Sequence, residues 1–133
     1  MAVQRTLLIG LAVMLSAMAW PGGAAAHAKL RRADPAPGST VTAAPRVVRL
    51  EFALSPHEEL DVRRSTLRVV DGRGRRVDDG KGGVDLNDLT RRSMIARLRP
   101  IGPGTYTVRW KAVSSPDLDV AQGSYTFTVA SGR

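Results

Sequence analysis

The run G-P-G-T-Y-T-V-R-W-K-A-V-S-S, residues 102–115, decides the fold. Within it Tyr106, Val108, Trp110 and Ala112 alternate with Thr105, Thr107, Arg109 and Lys111. Apolar residues at period two mark a strand with one face in a core and the other in water. The Gly-Pro-Gly that precedes it is a turn signal. Tyr106 opens the strand directly after that turn and reads as a tyrosine corner, whose ring packs at the sheet edge while its hydroxyl bonds upstream backbone. Trp110 reads as a core tryptophan between two sheets.

The same period extends outward. Residues 46–52 place Val48, Leu50 and Phe52 on one face, and residues 66–70 place Leu67 and Val69 inward. The turn Asp71-Gly72-Arg73-Gly74 follows, and residues 75–77 read as the start of a return strand. Residues 94–98 form a short apolar strand, and residues 124–129 put Tyr125, Phe127 and Val129 on one face. Gly and Pro punctuate these runs, as at Pro35, Pro37 and Gly38, at Ser55 and Pro56, and at Gly80, Gly82 and Gly83. Only residues 86–90 suggest a helix, of a single turn. Short strands at near-regular spacing with such punctuation predict an all-β sandwich or barrel.

The N-terminal stretch has a different character. Arg5 precedes the apolar residues 7–20, Pro21 and Gly22 break the run, and Ala24-Ala25-Ala26 offers an A-x-A cleavage site. This reads as a secretory signal peptide over residues 1–26, too short to span a membrane, followed by one domain over residues 27–133. Cleavage after Ala26 makes His27 the first residue; Ala26-His27-Ala28 is a competing A-x-A site. A terminal histidine offers its amine and its Nδ1 to one metal ion in a six-membered ring, and such nitrogen and oxygen donors in a plane suit Cu(II) or Ni(II).

The whole chain carries 20 Lys and Arg against 12 Asp and Glu, a net charge of +8, and losing Arg5 with the signal peptide leaves +7. The arginines are spread along the chain with few aromatics between them, so a basic surface is expected rather than a nucleic-acid site. The chain has no cysteine, which excludes disulfides, thiolate metal sites and a cysteine nucleophile. No G-x-S-x-G or phosphate-binding glycine loop occurs, and His57-Glu58-Glu59-Leu60 lacks the second histidine of a zinc protease, so no enzyme is expected. Asp85, Asn87 and Asp88 resemble a fragment of a calcium loop without its closing glutamate and read as a polar loop. After residue 20 no hydrophobic run approaches membrane-spanning length.

Four blocks, in order, carry a family resemblance. They are H-A-K-L-R-R-A-D-P-A-P-G-S at 27–39, A-A-P-R-V-V-R-L-E-F at 43–52, L-R-P-I-G-P-G-T-Y-T-V-R-W-K-A-V-S-S at 98–115, and G-S-Y-T-F-T-V at 123–129. Together they resemble the CopC family of periplasmic copper-binding proteins. The resemblance implies an immunoglobulin-like Greek-key β-sandwich of about seven short strands and a periplasmic location. It implies Cu(II) bound by the terminal histidine and by an Asp-x-His on the loop before the last strand. It also suggests a partner, an inner-membrane copper transporter of the CopD type.

On that loop the sequence departs from the family. Asp117 falls on the family aspartate, Asp119 falls on the family histidine, and one extra residue stands near Pro116. A glutamate ligand of part of the family corresponds to Leu54, and beyond residue 26 the only methionine is Met94, so the methionine-rich segment of some members is absent. The expected metal ligands are therefore His27, Asp117 and Asp119, with the copper ion as partner. His57 substitutes for the missing imidazole if its loop lies at the His27 end of the sandwich. The alternative is an interaction module of the same fold that has lost competent copper binding.

Overall fold

A computed structural model describes residues 28–132. His27 and the proposed signal peptide lie outside the described residues. The described chain is all β, and its strands form two sheets. Six strands have five or more residues: β1 (Lys29–Asp34), β3 (Val47–Ala53), β5 (Thr66–Val70), β7 (Ser93–Arg97), β8 (Gly104–Ser115) and β9 (Asp119–Val129). Three have two residues each: β2 (Thr40–Val41), β4 (Glu59–Leu60) and β6 (Gly83–Val84). The first sheet runs in the order β1-β3-β7-β6. The second runs β2-β9-β8-β4, with β5 also paired to β8. The expected two-layer sandwich is the architecture found.

The period-two residues form the core. Val48, Leu50 and Phe52 of β3, Leu67 and Val69 of β5, and Tyr106, Val108 and Ala112 of β8 are all buried. The Tyr106 hydroxyl donates to the carbonyl of Gly102 at 2.6 Å, which closes the tyrosine corner. Trp110 lies on the inner face but is only half-buried. It meets Phe52 of the other sheet edge-on at 5.1 Å between ring centroids, and so bridges the layers near one end of the sandwich. Tyr106 and Phe127 stack at 5.5 Å.

Local expectations differ in three places. Residues 75–77 do not form a strand; Arg76 makes a single bridge to Val70, because the Asp71 carboxylate holds a tight turn through the amides of Arg73 and Arg75. Residues 86–90 form two turns rather than a helical one, organised by the carboxylates of Asp85 and Asp88. The last strand begins at Asp119, before the residues 124–129 read from sequence, because the β8–β9 hairpin stays paired as far as Ser114 and Asp119.

Candidate metal centre

Three strand registers define one end of the sandwich. Lys29 at the start of β1 pairs with Ala53 at the end of β3. Residues 54–58 lead from β3 to β4, where Glu59 pairs with Ser115 and Leu60 with Ser114 at the end of β8. On the other side of β8, Ser114 pairs with Asp119, which opens β9. The start of β1, the 54–58 loop and the 116–118 turn therefore share one end. Ala28 is 3% exposed and belongs to the core there, so the chain enters the fold anchored at this end.

The candidate residues are distributed as follows. Asp117 lies exposed in the turn Pro116-Asp117-Leu118, and Asp119 is half-buried at the first position of β9. Leu118 between them has φ 59°, a left-handed conformation that a leucine adopts at a cost. This φ reverses the chain within three residues and places both carboxylates on one tight hairpin. His57 is exposed in the turn at Pro56 and His57. Its loop is at the shared end, as the substitution by His57 requires. Leu54, at the family glutamate position, is half-buried and packs against the core. His27 lies outside the described residues.

Among the described residues no three His, Cys, Asp or Glu side chains form a group that could hold a metal ion. Asp117, Asp119 and His57 thus do not form such a group of three. The donor set of the turn is oxygen, which suits a hard or borderline cation and needs nitrogen partners to favour Cu(II). Met94, the one methionine among the described residues, is fully buried, so no described thioether reaches the surface for a softer ion.

One residue at this end was not visible in the sequence pattern. Arg92 precedes β7 and sends its guanidinium into the 54–58 loop, donating to the carbonyls of Leu54 at 2.9 Å, Ser55 at 3.0 Å and Glu58 at 3.3 Å. Its own amide donates to the Asp88 carboxylate, which also accepts from the Thr90 and Ser93 hydroxyls. Burial would raise the Asp88 pKa, but these donors outweigh it and hold the carboxyl down at about 2. Asp85 takes a hydrogen bond from Arg49 at 2.7 Å, the main reason its pKa is lowered. The polar residues read as a loop are thus a scaffold that fixes Arg92 over the 54–58 segment. A signal existed in the spacing Asp85, Asp88, Arg92, but only the fold shows where the guanidinium goes.

Comparison with known proteins agrees with this architecture. Residues 30–130 match the family described as the CopC domain. The chain is 30% identical over 129 residues to Protein YobA of Escherichia coli (strain K12), covering 96% of this chain and 98% of that protein. Protein YobA of Shigella flexneri matches to the same extent. Among solved structures, CopC from Methylosinus trichosporium OB3b superposes with a TM-score of 0.67 at 25% identity, over 80% of this chain and 97% of that one. PcoC, a methionine rich copper resistance protein from Escherichia coli, superposes with a TM-score of 0.62 at 32% identity, over 79% and 100% of the two chains.

Proposed function

Because the chain belongs to the CopC family, we propose that it is an exported, periplasmic copper-binding protein that serves copper homeostasis or resistance. In this reading residues 1–26 are a signal peptide and residues 27–133 the functional domain. The ion is Cu(II), held by the amine and imidazole of His27 and by the carboxylates of Asp117 and Asp119. The protein buffers the ion or delivers it to a membrane copper transporter of the CopD type. It does so by coordination and release, with no catalytic step.

One observation carries this reading. The buried Ala28, directly after His27 in the chain, and the hairpin of Asp117 and Asp119 belong to the same end of the sandwich. Two nitrogens from a terminal histidine and two carboxylate oxygens make a mixed tetragonal donor set suited to Cu(II). The buried Met94 leaves no described thioether for Cu(I) and favours the oxidised ion. Carboxylate at position 119 binds copper less well than imidazole, so the affinity is set below that of a site with two histidines.

The test uses that departure. Asp119→His is expected to raise Cu(II) affinity by about a decade or more, on the order of 1.4 kcal/mol, in a competition titration. Asp117→Ala in that background is expected to reverse most of the gain, and His57→Ala to change little. No gain from Asp119→His together with a large loss from His57→Ala would mean that the site is built around His57. Absence of specific copper binding in every variant would favour the interaction module that Asp119 and Leu54 also allow.

A further inference from the structure

The outer face of the second sheet carries a charge arrangement that copper binding does not use. Arg68 of β5 and Arg109 of β8 are directly opposite in register, and Lys111 follows on the same face, opposite Thr66. All three are exposed, and among the described residues none makes an ion pair. Side chains opposite one another on such a pair start about 4.5–5.5 Å apart at Cβ, and like charges there destabilise a sheet. Glu59 shares this face, opposite Ser115 at the far end of β8, and is already paired with Arg91 at 3.7 Å. On β9 the neighbours of Arg109 and Lys111 are Ser124 and Gln122, and Thr107 and Thr105 face Thr126 and Thr128.

Other acids lie off this face. Asp34, Glu51, Asp85 and Asp88 belong to the first sheet and its loops. Asp61 and Asp71, which flank β5, are taken up by Arg64 and Arg75. The clefts beside β1 and β3 lie on the first sheet, whereas the cationic residues stand on strand faces. An acidic peptide is the competing occupant, since arginine clusters also hold acidic motifs, and polyglutamate tests it. A broad open face of uncompensated cations and hydroxyl donors fits an extended array of phosphates instead. We infer that this face, centred on Arg68, Arg109 and Lys111, docks the protein on an anionic phospholipid surface. The contact is electrostatic, and the cost of opposing cations in the free protein is relieved when lipid phosphates lie between them. It is independent of the copper site, which occupies one end of the sandwich rather than this face.

The experiment is co-sedimentation of the purified protein with vesicles of phosphatidylglycerol and phosphatidylcholine in equal parts, and with pure phosphatidylcholine. Binding is expected only to the anionic vesicles at low salt, with release near 0.5 M salt. The triple variant R68Q/R109Q/K111Q is expected to lose about thirty- to a hundredfold in partitioning, given roughly one decade or less per basic residue at a membrane. The triple variant R31Q/R97Q/R99Q removes the same charge outside this face and is expected to lose about threefold or less. All six positions are exposed, and circular dichroism checks that both variants fold. Should folding fail in the first triple, K111Q alone is expected to lose severalfold. Equal losses in the two triples, equal binding to neutral vesicles, or binding to polyglutamate but not to vesicles would each overturn the inference.

Discussion

Two tyrosines on neighbouring strands show how much a single hydroxyl decides. Tyr106 donates to Gly102, whereas the Tyr125 hydroxyl is buried without a partner among the described residues. Burial, and after it the Asp34 charge, pushes the Tyr125 phenol above its ordinary range. Tyr106→Phe should therefore cost about 1 kcal/mol in urea denaturation, and Tyr125→Phe should be neutral or stabilising by up to about 1 kcal/mol. Equal losses from the two would contradict the assignment. Gly123 makes a second case. It pairs with Trp110 across β8 and β9, and a Cβ there would come within 2.7 Å of the indole. Gly123→Ala should cost about 1–3 kcal/mol through crowding. In a Trp110→Ala background that cost should largely vanish, which a double-mutant cycle measures. Trp110 was legible in the sequence as an inward residue, but Gly123 was not, because its role depends on a cross-strand register that local pattern does not carry.

Among the elements, those with period-two alternation were legible and those held by their partners were not. β3, β5 and β8 stand close to where Val48, Leu67 and Tyr106 put them, since each buries one face. β1 escaped the pattern because its register shifts between Leu30 and Arg32, which breaks the alternation in K-L-R-R-A-D. β4 escaped because two residues carry no period, and its pairing with Ser114 and Ser115 is a tertiary fact. The loop before β7 is tied by Asp88, and its pH response follows from the sign of the shift. The folded pKa, about 2, lies below the ordinary 3.8, so the stabilisation is present above about pH 4 and is lost as pH falls toward 2. Asp88→Asn should lower stability at neutral pH by about 1–2 kcal/mol and flatten the decline between pH 4 and 2. An unchanged acid limb in the variant would show that Asp88 does not hold the loop.

At the scale of the molecule, two sheets bring segments far apart in sequence to one end: the entry to β1, the 54–58 loop under Arg92, and the hairpin of Asp117 and Asp119. The sandwich was readable from strand pattern, and the copper reading from four ordered blocks. The meeting of those segments was not, because it rests on the pairing of Glu59 with Ser115 and of Ser114 with Asp119. The central claim is that Cu(II) is chelated by a free N-terminal histidine at this end. Its most direct test is a Cu(II) titration of protein beginning at His27 against protein with one extra residue before His27. One Cu(II) per chain is expected for the first, with binding that fades below about pH 6, as protons compete for an amine and an imidazole of ordinary pKa about 7.7–8.0 and 6.5. Extension should weaken binding by about two decades or more, since it removes the amine from the chelate ring. Equal affinity of the two proteins would contradict the claim.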